Sequence, residues 1–92
     1  MAAMPFPAIE PTVPALLRFA AERFGPATFL VADGHSVTYA ELERRSARLA
    51  VSLLARGVGK GDRVGILMPN SVDWALAWFA VTRIGAVAVP IN

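Results

Sequence analysis

In the stretch RGVGKGDRVGIL, Arg56 to Leu67, the residues Gly57, Gly59, Lys60 and Gly61 stand ahead of a strand-like apolar run. These are the residue types of phosphate-binding loops, in which freed backbone amides and an ammonium group hold a di- or triphosphate. The spelling argues against that chemistry. A dinucleotide fingerprint needs G-x-G-x-x-G between a strand and a helix, but here the glycines are spaced two apart and position 62 is Asp. A Walker loop needs Gly-Lys-Ser/Thr, and Lys60 is followed by Gly61 and Asp62. The setting argues harder, because anion loops lie at helix N-termini whereas this loop follows a helical pattern and sits at its negative end. The spacing predicts a cap and turn: Gly57 in the left-handed C′ position, Gly59 and Gly61 permitting the turn, and Lys60 and Arg63 offsetting exposed carbonyls. The competing reading, a minimal nucleotide-binding α/β protein using GVGKG, is decided by titrating ATP against the parent and Lys60→Ala.

The remaining candidates are isolated. His35 is the only histidine and stands beside a turn, with no cysteine or second histidine to complete a zinc site. Ser36, Ser46, Ser52 and Ser71 lack a G-x-S-x-G setting, and Ser71 reads as a helix cap. Asp33 belongs to a turn, and Asp73 to a first helical turn where its charge complements the dipole. Trp74, Trp78 and Phe79 at helical spacing read as core rather than as a stacking platform for bases. The arginines Arg44, Arg45 and Arg48 read as a solvated helix face, with Glu41 and Arg45 forming an i,i+4 pair, rather than as an anion-binding patch. The expected catalytic, cofactor-binding and metal-ligating residues are therefore none.

Composition narrows the class. Nine Lys and Arg against seven Asp and Glu give a formal charge of +2, which does not imply a nucleic-acid partner. The absence of cysteine removes disulfides, thiolate metal sites and thiol nucleophiles. The start MAAMPFPAIEP lacks the basic and apolar regions of a secretory signal, so a soluble cytoplasmic protein is expected. WALAWFAVTRIGAVAVPI, Trp74 to Ile91, is broken by Thr82, Arg83, Gly85 and Pro90 well short of the roughly 20 apolar residues of a membrane span. At 92 residues the chain is one domain at most, yet 55% of it is hydrophobic and its mean hydropathy is +0.51. That is more apolar material than a small globule needs for its interior.

The elements that would hold these residues follow from periodicity. Residues 1–11, with three prolines, read as an extended lead-in. Thr12 then caps a helix carrying Val13, Leu16, Leu17, Ala20 and Phe24, with Pro14 tolerated in its first turn and Gly25-Pro26 stopping it. Asp33-Gly34 between two β-prone runs predicts a hairpin that pairs Leu30 with Val37. Thr38 and Glu41 have the spacing of a capping box, so a second helix should start at Tyr39 and run to about Arg56, with Leu42, Ser46, Leu49, Ala50 and Leu53 on one stripe. RVGILM, Arg63 to Met68, suits a strand covered on both faces. Asn70 or Ser71 caps a third helix over 72–84, stopped by Gly85, and AVAVP is a second buried strand. The fold class is α/β in the order α-ββ(hairpin)-α-β-α-β, ending in a right-handed βαβ unit. Two parallel strands cannot cover their outer edges, and the third helix is apolar nearly all round, so the sheet is expected to belong to an incomplete larger one.

The ordered set VTYAEL, ARGVGKGDRVGILMPNS and RIGAVAVPIN resembles the N-terminal part of the adenylate-forming enzymes, or AMP-binding synthetases, over roughly Leu16 to Asn92. These comprise acyl-CoA synthetases, luciferases and peptide-synthetase adenylation domains. The resemblance implies an enzyme that activates a carboxylate with Mg-ATP and passes the acyl group to a thiol such as coenzyme A. VPIN, ending in Asn92, looks more like acyl-CoA synthetases than peptide-synthetase domains, which usually have Asp there. The family's phosphate loop, its Tyr-Gly-x-Thr-Glu segment, its ribose-binding Asp and its C-terminal Lys all lie downstream of Asn92, so none transfers to a residue here. The expectation is that 12–92 forms the N-terminal fragment of an adenylate-forming large domain, inactive alone and partnered by the remainder of the ligase in the same or a separate chain. It would bind no cofactor itself, with ATP, Mg and coenzyme A used by the complete enzyme. The alternative is a small interaction module that self-associates through its exposed sheet edge and apolar helix, distinguished by a defined dimer on size exclusion.

Overall fold

Thr12 opens the first helix, α1 (Val13–Phe24), by accepting a hydrogen bond at its hydroxyl from the Ala15 amide at 3.3 Å. The computed structural model describes residues 12–91; the expected lead-in over 1–11 and Asn92 lie outside them. Pro14 sits in the first turn, where it costs no intrahelical bond. Gly25 remains right-handed, with φ −34° and ψ −57°. The stop therefore comes from Pro26 and not from a left-handed glycine.

The hairpin forms as the Asp-Gly pair predicts. β1 (Thr28–Ala32) and β2 (His35–Thr38) are antiparallel with Leu30 opposite Val37. Asp33 and Gly34 take φ of 49° and 75°, the positive pair of a type I′ turn. A register shift between Thr28 and Leu30 leaves Phe29 as a bulge. Its ring meets Tyr39 edge-on at 5.3 Å and Phe79 at 5.7 Å.

The capping box at α2 (Tyr39–Ala55) is complete: the Glu41 amide donates to Thr38 Oγ1 at 3.1 Å, and the Thr38 amide donates to Glu41 Oε1 at 3.0 Å. The next orphan amides of this helix end, on Tyr39 and Ala40, donate to the carbonyls of Ala27 and Gly25. The start of α2 is thereby tied to the end of α1. Leu42, Ser46 and Ala50 are buried as the stripe predicts, whereas Leu49 is exposed.

β3 (Arg63–Ile66), α3 (Val72–Arg83) and β4 (Val87–Pro90) form the expected strand-helix-strand unit, with β3 and β4 parallel and Arg63 opposite Val87. Ser71, not Asn70, is the cap of α3, accepting from the Trp74 amide at 3.1 Å. α3 is the central element and touches every other one. Leu17, Val37, Leu42, Val72 and Leu76 make one core between α1, α2, α3 and the hairpin, with Leu30 and Phe79 packed against it.

The structure departs from expectation at β3. RVGILM has the pattern of a strand covered on both faces, but β3 ends at Ile66, and only Ile66 in it is buried. α3 covers one face of the β3–β4 pair and no other described helix or strand packs on the second, so an apolar run suited to a sandwiched strand has one open side.

Candidate functional site

Each amide that could cradle a phosphate in the Gly57–Asp62 loop has to be followed to its partner. Gly57, at φ 90°, donates to the Leu54 carbonyl and Val58 to that of Leu53, the two bonds of a Schellman cap on α2. The Gly59 amide donates to the Asp62 carboxylate at 2.8 Å, that of Gly61 to the Gly85 carbonyl at 3.0 Å, and that of Asp62 to the Gly59 carbonyl at 3.1 Å. An anion entering here would find only the Lys60 amide unengaged, beside a carboxylate and the carbonyl end of a helix. The residues do not fit a nucleotide triphosphate.

Two details of the predicted turn change. Gly61, at φ 84°, needs its glycine, but Gly59 has no positive φ and open space where a side chain would be. The last carbonyls of α2 are met by the Gly57 and Val58 amides rather than by Lys60 or Arg63, and the Lys60 side chain instead lies across Gly85.

Asp33, His35, Ser36, Ser71 and Asp73, scattered in sequence, are brought together with Arg45 around a shallow polar hollow of about 210 Å³ between the hairpin tip and the start of α3. His35 is exposed there. Among the described residues no three metal-ligating side chains are close enough to hold an ion. Arg45 reaches this hollow and makes no ion pair with Glu41, because the Glu41 carboxylate turns back to its cap. Those cap bonds to Thr38, with help from Arg44 and Arg45, hold the Glu41 carboxyl below the usual glutamate range.

Sequence reasoning missed one polar lock. Arg83 reaches from α3 to α2 and forms a two-pronged ion pair with Glu43, Nη1 to Oε2 at 3.3 Å and Nη2 to Oε1. The same Nη1 lies 3.4 Å from the hydroxyl of fully buried Ser46, which itself donates to the Glu43 carbonyl. Glu43 borders the buried stripe of α2, and Arg83 is the one charge near the end of an apolar helix. That coincidence was the available signal, although the 40-residue separation hid the partner.

The most extensive unpaired chemistry is apolar. Phe29, Trp78 and Phe79 form a ridge between two hollows of about 390 and 470 Å³, one lined by α1 and Tyr39, the other by β1 and Trp74. Trp78 and Phe79 are half-buried, with their rings edge-on at 5.0 Å. On the parallel pair, alternation sends Val64, Ile66 and Ala88 towards α3 and sends Arg63, Gly65, Val87 and Val89 outward, continuing into Leu67 and Ile91. Leu67 is 72% exposed, Val87 49% and Ile91 48%. A side chain at Gly65 would come within 2.8 Å of Ile91 Cδ1, so the Ile91 side chain lies across this glycine.

The edges of the pair differ. The Val87 amide donates to Asp62 and that of Ile91 to Ile66, so odd-numbered residues of β4 bond to β3 while Ala88 and Pro90 face the free edge. Pro90 has no amide to offer there. On the other side Arg63, Gly65 and Leu67 present their backbone to the free edge of β3.

Comparison with known proteins places this geometry. A family model described as AMP-binding enzyme matches residues 17–92. A long-chain-fatty-acid–CoA ligase, FadD13 of Mycobacterium tuberculosis, is 48% identical over 56 residues, covering 61% of this chain and 11% of that protein. Feruloyl-CoA synthase of an Amycolatopsis species is 50% identical over 66 residues, 72% of this chain and 13% of that one. The solved N-terminal subdomain of Klebsiella oxytoca NpsA, in complex with anthranilyl-AMSN, superposes with a TM-score of 0.83 at 33% identity over 88% of this chain and 21% of that one. The chain thus spans about a tenth of the length of the curated relatives it matches. Among the described residues no helix is long and apolar enough to cross a membrane.

Proposed function

The chain belongs to the AMP-binding enzyme family and corresponds to its N-terminal portion, and from that premise we propose that it is the structural N-terminal part of an ATP-dependent acid–CoA ligase. In the complete enzyme a carboxylate oxygen attacks the α-phosphorus of Mg-ATP and expels pyrophosphate. A thiol such as that of coenzyme A then attacks the acyl carbon and expels AMP. This chain contributes no catalytic, nucleotide-binding or metal-binding residue to those steps; it supplies a capped, cross-braced βαβ support on which later segments assemble.

The observation that carries this reading is the β3–β4 pair, a parallel pair with a covered inner face, a bare apolar outer face and open edges. Parallel strands occur almost only in larger sheets with both faces covered. The loop supports it too, since five of the six amides of GVGKGD, all but that of Lys60, are spent on the chain itself. The acyl-CoA ligase branch is favoured by Asn92 at the end of VPIN, and a cytoplasmic enzyme acting on fatty or aryl acids fits that branch.

The test is ATP–pyrophosphate exchange with mixed fatty and aryl acids. The 92-residue chain alone should give no turnover above a no-protein control. A single-chain fusion of it to FadD13 lacking the segment it matches should exchange with fatty acids. Exchange by the chain alone, or an inactive though folded fusion, would sink the proposal.

A further inference from the structure

We propose that the outward face of α2 is a docking surface for an anionic lipid bilayer, on which the helix lies flat with its arginines among the phosphate headgroups. Opposite the buried stripe of Leu42, Ser46 and Ala50, the helical period sets Arg44, Arg48, Val51 and Ala55 in one line, with Arg45 and the C-cap Arg56 on one flank and Leu54 on the other. All of these are exposed, Val51 by 66% and Leu54 by 52%. The sequence offers Glu41 and Glu43 to neutralise the arginines within the helix, but the structure commits both elsewhere, Glu41 to the Thr38 amide and Glu43 to Arg83. Among the described residues none of Arg44, Arg45, Arg48 and Arg56 pairs with a carboxylate. A solvated face balanced by its own acids is therefore replaced by a cationic one.

Charge and apolarity together name the occupant. Guanidinium groups take phosphate oxygens two at a time, and basic clusters of this size on an amphipathic helix are drawn to a negatively charged leaflet. Val51 and Leu54 gain nothing against the phosphates of a nucleic acid, whereas the interfacial zone of a bilayer takes aliphatic side chains just beneath its headgroups. A second copy docked about a two-fold axis would set arginine against arginine. α2 touches α1, α3 and the hairpin but neither β3 nor β4, so it lies across α3 from the open sheet face. Whatever completes that sheet does so on the side away from α2.

The test is flotation of the full 92-residue chain with vesicles of phosphatidylcholine alone or mixed with phosphatidylglycerol. The chain should float about tenfold more with the anionic vesicles. Salt at about 1 M, which shortens the Debye length to about 3 Å, should release it. Arg44→Gln/Arg48→Gln should lower the fraction floated with anionic vesicles about tenfold, and Val51→Asp should lower it too. Arg44→Lys/Arg48→Lys should keep most of it, which separates loss of charge from loss of fold. Arg18→Gln/Arg63→Gln, with the same loss of charge placed on α1 and β3, should change it by less than about twofold. Equal flotation with both vesicle types would overturn the proposal, since it would mean adsorption through the open apolar face of β3–β4. So would equal losses from the two glutamine pairs, or binding of a DNA duplex without flotation.

Discussion

Gly57, Gly59 and Gly61 look alike in the sequence and differ in what the backbone asks of them. Gly57 and Gly61 stand at φ 90° and 84° with nothing within 4 Å of an added Cβ, so substitution there is penalised by conformation alone. Gly57→Ala and Gly61→Ala should each destabilise the fused domain by about 1–2 kcal/mol, whereas Gly59→Ala should be neutral or stabilise by up to about 1 kcal/mol. Thermal unfolding midpoints of the three variants separate these outcomes, and equal losses at all three would refute the assignment. Glu41 gives a second residue-scale test. Its carboxyl is held below its ordinary range first by the Thr38 amide, then by the Thr38 hydroxyl, with Arg44 and Arg45 adding to it. A depressed folded value means that the stabilisation is complete above the unfolded pKa of about 4.3 and is lost as pH falls through the folded value. Glu41→Gln should therefore flatten the acid side of the stability curve and leave its slope between pH 6 and 8 unchanged.

At the scale of elements, α2 and α3 are joined by more than apolar packing. The Glu43–Arg83 pair is mostly shielded, with side-chain exposures of 20% and 14%, and it is bidentate and braced by Ser46. Such a pair escapes much of the screening that makes surface ion pairs weak. A double-mutant cycle of Glu43→Ala and Arg83→Ala in the fused domain should return a coupling of about 1–2 kcal/mol. A coupling within error of zero would reduce the pair to a surface contact. The caps at Thr12 and Thr38 were legible because capping uses residues three apart, and that of α3 was narrowed to Asn70 or Ser71 before the Trp74 amide singled out Ser71. The Asp33-Gly34 hairpin and its register were legible because a two-residue turn leaves one pairing. The Glu43–Arg83 lock was not, because no local rule relates an α2 carboxylate to an α3 guanidinium.

For the whole molecule, α3 touches every other element, yet its Trp74, Trp78 and Phe79 remain half-buried, and the outer face of β3–β4 is bare. Among the described residues Leu17, Val37, Leu42, Val72 and Leu76 make the core cluster and Ile66 and Val81 are also buried, but Leu16, Phe24, Leu54, Leu67, Val87 and Ile91 stay exposed. Alone it should unfold in a broad, weakly cooperative transition, and fusion to the remaining domain should sharpen that transition; circular dichroism melts of both compare the two. A sharp two-state melt of the isolated monomer would show that its core suffices.

Local chemistry determined by itself where α1, α2 and α3 begin, the β1–β2 turn, and the order of all the elements, because caps, turns and hydrophobic periods act over a few neighbouring residues. It also carried the ordered motifs from VTYAEL to VPIN that mark the AMP-binding family. Only the tertiary structure decided where the GVGKGD amides end, that Arg45 leaves Glu41 for the polar hollow, that Arg83 clasps Glu43, and that RVGILM is covered on one side alone. Each of these depends on groups distant in sequence meeting or failing to meet, and no spacing rule along one chain records which segment lies across a given face.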